Sequence, residues 1–164
     1  MGGEVGHMKI VAGGRKCKCG KLGCLEAYAS GTAIANSAQE AMRKGTKTKI
    51  SEFLEPGGRI SAREIGLAAR TGDSLALQIF KEAGFYLGVG ISNLLHLVNP
   101  ERVVLGGGVL KSAPRVFWSS MLRSCKQASW PPAFDAVKIC RSRLKDRVGD
   151  LGALALVFEC KLVK

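Results

Sequence analysis

Four ligand-type residues crowd the first twenty-four positions, where His7, Cys17, Cys19 and Cys24 follow one another as His-x9-Cys-x-Cys-x4-Cys. One tetrahedral zinc ion takes such a set whole, and binding it closes the intervening chain into a loop whatever the local preferences of its glycines and lysines. A metal closed by four protein ligands has no open position for chemistry, so its part is structural. Glu4 and Glu26 bracket the loop. Their carboxylates are left to hold something else.

Of the six cysteines, three lie within eight residues, whereas Cys125, Cys140 and Cys160 are scattered through apolar or helical stretches. That distribution reads as a metal cluster plus three ordinary packed thiols rather than a disulfide scaffold. Arg15, Lys16, Lys18 and Lys21 flank the cluster; their charge would favour thiolates and offset the negative charge of a three-cysteine zinc site. The net charge of +12 invites a nucleic-acid reading, but the basic residues are spread along the chain with few aromatics among them, which predicts a solvated basic surface. With 164 residues and 46% apolar content, the chain is one domain or one half of a larger one, with enough apolar side chains for a core. No apolar run is long enough to span a bilayer and the N-terminus lacks the sections of a signal peptide, so a cytoplasmic chain is expected.

Along the chain, helix and strand signals alternate, which predicts an α/β fold without internal repeats. A loose alternation over 5–12 suggests a strand running into Gly13-Gly14. Residues 25–43 favour a helix ended near Gly45, and 46–59 form a polar connection. Ser61 and Glu64 make a capping box for a short helix to Arg70, stopped at Gly72. Asp73 then caps a long helix that Asn99-Pro100 terminates after Val98. Its interior glycines, Gly84, Gly88 and Gly90, each destabilise a helix by about 1 kcal/mol relative to alanine and so mark close packing against another backbone. His96 on this helix reads as structural.

Residues 102–105 form a short apolar strand followed at once by Gly106-Gly107-Gly108, with a helix expected over 113–126. Strand, glycine turn and helix can bring backbone amides to a phosphate or nucleotide, and the same glycines also suit a tight turn. A second strand over 137–143 follows Pro131-Pro132, and a C-terminal helix over 149–159 is expected to be capped by Asp150.

Three motifs together carry a family resemblance: Gly3-Glu4-Val5-Gly6-His7; Cys17-Lys18-Cys19-Gly20-Lys21-Leu22-Gly23-Cys24-Leu25-Glu26; and Ala29-Ser30-Gly31. With Asn99-Pro100-Glu101-Arg102-Val103-Val104-Leu105-Gly106-Gly107-Gly108 and Gly152-Ala153, they make nearly the whole chain resemble the ROK family of sugar kinases and repressors. The resemblance implies an actin-like, ribonuclease-H-like fold of two lobes with sugar and ATP in the cleft between them. Residues 1–164 would be the C-terminal lobe, carrying the zinc-stabilised loop. His7 would touch the sugar and complete the zinc set with Cys17, Cys19 and Cys24. Glu4 and Glu26 would accept hydrogen bonds from sugar hydroxyls, a task suited to carboxylates, which offer several acceptor sites. Gly106, Gly107 and Gly108 would border the ATP, which carries Mg in the complete enzyme.

A kinase of this family opens with an Asp-x-Gly-x-Thr phosphate loop and carries an Asn-Asp motif whose aspartate is the general base; neither occurs in the sequence. The N-terminal lobe and the catalytic base are therefore expected to lie outside these residues, and the chain alone is expected to be inactive or nearly so. Two readings stand at this point: an ATP-dependent kinase of a hexose, glucose in the first place, or of an N-acetylhexosamine; and the effector-binding part of a sugar-responsive transcriptional repressor. The chain contains no helix-turn-helix candidate. A basic zinc module for nucleic acid is disfavoured, because the order of cysteines and histidine differs from a zinc knuckle and no arginine-rich helix adjoins the loop. The family habit and an open cleft face predict a homodimer.

Overall fold

The computed structural model describes residues 3–144 together with 147, 151, 152, 154 and 155. Val5–His7 coil into a 3-10 turn rather than a strand. The chain already turns at Gly3 (φ +83°), and the extended segment that follows meets a partner at Lys9 alone, in an antiparallel bridge to Cys24.

The helix expected over 25–43 is two helices, α1 (Glu26–Ala29) and α2 (Gly31–Arg43). Ser30 breaks them with an extended backbone and caps α2 by accepting the Ala33 N–H at 3.1 Å. Gly45, at φ +82°, closes α2 as expected. Within the polar connection, Ile50–Phe53 form a 3-10 turn that sinks Ile50 completely into the core.

α3 (Ala62–Arg70) begins at the Ser61/Glu64 capping box and α4 (Ser74–Val98) at Asp73; Asn99 ends α4 in the left-handed conformation, just before Pro100. β1 (Arg102–Leu105) leads through the glycines directly into a short α5 (Gly108–Ser112), so the helix expected over 113–126 starts later, after Pro114, as α6 (Arg115–Ala128). Pro131 and Pro132 sit in the first turn of α7 (Pro131–Ala136), where a missing N–H does no harm. The expected second strand is shorter, β2 (Lys138–Arg141), and runs parallel to β1 with Arg102 opposite Lys138 and Leu105 opposite Arg141. Most of the helix expected over 149–159, with Asp150 and Cys160, lies outside the described residues.

Helix α4 is the spine. Its most extensive contact is with α6, and the glycines make it possible. A Cβ at Gly84 would strike the Phe117 carbonyl, and one at Gly88 would strike the Met121 carbonyl and the Ser124 hydroxyl. One core gathers Phe80, Phe117, Ile34, Ile50 and Ile65; a second gathers Ile91, Leu95, Met121 and Cys125, with Val103, Leu105 and Ile139 of the two strands packed on it. Cys125 is thus a core thiol, and burial pushes its pKa up. His96 accepts the Trp130 backbone N–H at 2.9 Å and so helps to start α7.

Asp73 does more than cap. Its carboxylate also accepts the Lys49 N–H at 2.7 Å and the Thr48 hydroxyl at 3.0 Å, fastening the 46–59 connection to α4. Burial opposes its ionisation, but the N–H groups of Lys49 and Ala76 and the Thr48 hydroxyl outweigh burial and hold the carboxyl below the ordinary aspartate value.

Two outcomes follow from this packing. Gly88→Ala, which in an exposed helix would be stabilising, is expected to lower stability by about 1–3 kcal/mol through overpacking, read as a drop in the urea midpoint; an unchanged midpoint would mean that α4 and α6 are not in contact there. Asp73→Ala is expected to cost about 1–2 kcal/mol at neutral pH. A depressed folded pKa gives stability that is present above the unfolded value of about 3.9 and lost as pH falls through the lower folded value. The gap between wild type and variant should therefore close in acid, and a gap constant down to the lowest pH at which the protein folds would contradict the ion's role.

Candidate functional site

Two single-rung bridges shape the cysteine loop. The first pairs Lys9 with Cys24, with the Leu25 N–H donating to Met8 O (2.9 Å) and the Ile10 N–H to Gly23 O (2.9 Å); the second pairs Lys16 with Leu22, with the Cys17 N–H donating to Lys21 O (2.8 Å). Gly20 (φ +84°) turns the tip between Cys17 and Cys24. Gly23 is needed twice over, for its φ of +77° and because a Cβ there would overlap the Val11 carbonyl.

This folding brings His7, Cys17, Cys19 and Cys24 together, with one ligand atom from each lying within 4.8 Å of all the others. Cys19 Sγ is 3.7 Å from Cys24 Sγ, and Cys17 Sγ is 3.8 Å from His7 Nδ1. Tetrahedral zinc with sulfur at 2.3 Å requires sulfurs about 3.8 Å apart, so the donor set and its spacing fit that ion. Cys17 and Cys24 are buried and Cys19 is exposed.

Lys9, which the sequence reading passed over, donates from Nζ to Cys24 Sγ at 2.7 Å, and this contact raises the lysine pKa. Its place comes from the antiparallel bridge of Lys9 to Cys24, which no motif spacing announces. Cys19 is held below the usual thiol value, first by a hydrogen bond from the Lys21 backbone N–H, which outweighs desolvation, then by Cys17 and Cys24 and the Lys9 charge. For Cys17 the Cys19 backbone N–H acts downward, but desolvation and the neighbouring thiols leave its pKa raised.

The two carboxylates differ in placement. Glu26 opens α1 and sets Oε2 3.4 Å from His7 Nδ1 and 3.8 Å from Cys17 Sγ, with its side chain 38% exposed and that of His7 41% exposed. Glu4 stands exposed at the start of the 3-10 turn with no capping bond. The loop is tied to α4 by residues that spacing alone does not reveal. Tyr28 Oη accepts the Arg15 N–H at 2.7 Å, Arg15 lies over the Tyr28 ring and bridges to Glu82 at 2.6 Å, and the Tyr28 and Tyr86 rings meet at 4.2 Å.

The glycine turn lies close to the same helices. Gly106, Gly107 and Gly108 line a groove with Ala29, which is three residues and so one helical turn from Glu26, and a Cβ on Gly31 would touch Val109. Ser30 and Gly31 serve helix packing, as expected. Leu105, Gly106, Gly107 and Leu110 also wall a second cavity of about 360 Å³, together with Lys111, Arg141 and Ser142.

Residues 1–159 match the model of the ROK family. A glucokinase of Halalkalibacterium halodurans is 37% identical over 128 residues, 77% of this chain and 37% of that protein. A xylose repressor of Bacillus spizizenii is 32% identical over 157 residues, 96% of this chain and 37% of the repressor. Among solved structures, a ROK family glucokinase from Streptomyces griseus, in complex with glucose and AMPPNP, matches with a TM-score of 0.73 at 30% identity over 93% of this chain and 50% of that one. The chain thus spans half or less of the length of each of these relatives.

Exposure and a lowered pKa single out Cys19. In metal-free protein at mildly alkaline pH it is expected to be alkylated by iodoacetamide several-fold faster than Cys17 or Cys24, read by peptide mass mapping over time. Equal rates at all three would show that the loop does not keep this arrangement without metal.

Proposed function

The chain belongs to the ROK family, and on that premise we propose that residues 1–164 act as the C-terminal lobe of an ATP-dependent hexose kinase of actin-like fold. Glucose is the favoured hexose, in line with the glucokinase relatives. His7, Cys17, Cys19 and Cys24 would hold one structural zinc, whose contribution is to fix the loop. With all four positions taken by protein, the chain's own side chains do the recognising. Glu26 accepts hydrogen bonds from sugar hydroxyls, His7 orients beside it, and Glu4 supplies a second acceptor. Gly106, Gly107 and Gly108 border the nucleotide.

The observation that carries this reading is the groove shared by Ala29 and the glycine turn. It joins the helix that bears Glu26 to the turn that would border ATP, so a sugar and a nucleotide would lie on one continuous face. Phosphoryl transfer depends on positioning two substrates and on stabilising the transferred charge, and the opposite lobe would bring the general base and the phosphate loop. Alone, the 164 residues would bind but not turn over. Exposed Leu97, Val98 and Trp130, at the end of α4 and the start of α7, suit self-association as a homodimer.

The similarity to xylose repressors over 96% of the chain favours a second reading, the effector-binding part of a sugar-responsive repressor. Both readings need the zinc loop and the sugar contacts; the nucleotide separates them.

Purified chain is expected to contain one zinc per molecule by atomic emission, to lose thermal stability on chelation, and to show a rise in Tm with glucose or another hexose from a panel. Glu26→Gln should remove the sugar shift and keep the zinc. Sugar binding without binding of ADP would favour the repressor; robust turnover of hexose and ATP-Mg by this chain alone would refute the need for a second lobe.

A further inference from the structure

We propose that Arg141 is a base-stacking residue of the nucleotide site: its guanidinium, seated on Trp118, presents its other face to a purine in the cavity beside Gly106 and Gly107. This rests on the nucleotide reading above and assigns which part of the nucleotide this cavity takes and which side chain recognises it.

The backbone puts Arg141 where this requires. In the parallel register it lies directly opposite Leu105, the last residue before the glycine turn, and the next residue, Ser142, donates its N–H to Leu105 O at 2.7 Å. The guanidinium carbon sits 4.1 Å from the centroid of the Trp118 ring, so one face of the cation is occupied by an indole. Trp118 is not among the cavity walls, whereas Arg141 is. A planar cation held against an aromatic ring is a pre-formed platform for a flat, π-rich ligand.

The cavity has the apolar wall and the room that a base requires. Its walls include the Leu105 and Leu110 side chains beside the cations Lys111 and Arg141, no acidic residue among those described lines it, and its volume of about 360 Å³ is enough for a flat heterocycle. α5, which starts at the turn, has five residues, too few for a helix dipole of consequence.

The test is calorimetric titration of the full 164-residue chain with ADP and, separately, with adenosine, which lacks phosphate. Arg141→Ala is expected to weaken both by about tenfold, the range for loss of one stacking partner. Arg141→Lys, which keeps the charge and loses the plane, should weaken both to a similar degree, with an unchanged thermal midpoint showing that β2 is intact. Weakening of ADP alone would mean a phosphate contact and overturn the proposal, as would unchanged binding of both ligands by the variants. If wild-type chain binds neither ligand, the nucleotide reading itself falls, and this inference with it.

Discussion

The approach of α4 to α6 at backbone distance, through Gly84 and Gly88, is the constraint on which most other placements depend. Two helices that touch carbonyl to glycine fix each other's axial position as well as their spacing. Everything that gathers around α4 inherits that position: Asp73 at its start anchors the 46–59 connection, Glu82 and Tyr86 hold Arg15 and Tyr28 of the cysteine loop, and Asn93 reaches Met8. The parallel strands then pack on Leu95, Met121 and Cys125, at the far end of the same pair of helices. The two ends of the groove are thereby set relative to one another by a shared spine rather than by direct contact.

Local rules made much of this legible. Ser61 with Glu64, Asp73, Gly72 and Asn99-Pro100 each punctuate a helix where their chemistry requires, and the interior glycines of α4 announced a close neighbour without saying which. What escaped were features decided by tertiary geometry. The break at Ser30 arises because a serine can cap as well as continue, and composition does not choose between the two. The 3-10 turn at Val5–His7 replaced a strand because a strand needs a partner along its length and the loop offers one rung. No helix was expected at Pro131-Pro132, although prolines suit the first turn of one.

The candidate site was legible in part for the same reason. Spacing picked out His7 and the three cysteines, because ligands of one ion must return to one point; it could not place Lys9 on Cys24 or Arg15 under the hydroxyl of Tyr28, since those contacts depend on which way the loop folds back. Glu26 was identified by motif, and its position is better determined than that of Glu4, because the first turn of α1 holds it and the 3-10 turn leaves Glu4 at a free corner.

Cys24, Leu25 and Glu26 are consecutive, and each faces a different partner: the sulfur cluster, Gly90 of α4, where a Cβ would run into the Leu25 side chain, and His7. Three neighbouring residues locked in three directions act as a gauge of chain length. Substitutions of similar size can drift through this segment, but inserting or deleting a single residue would rotate one of the three out of place, so its evolution is confined to changes of letter at constant count.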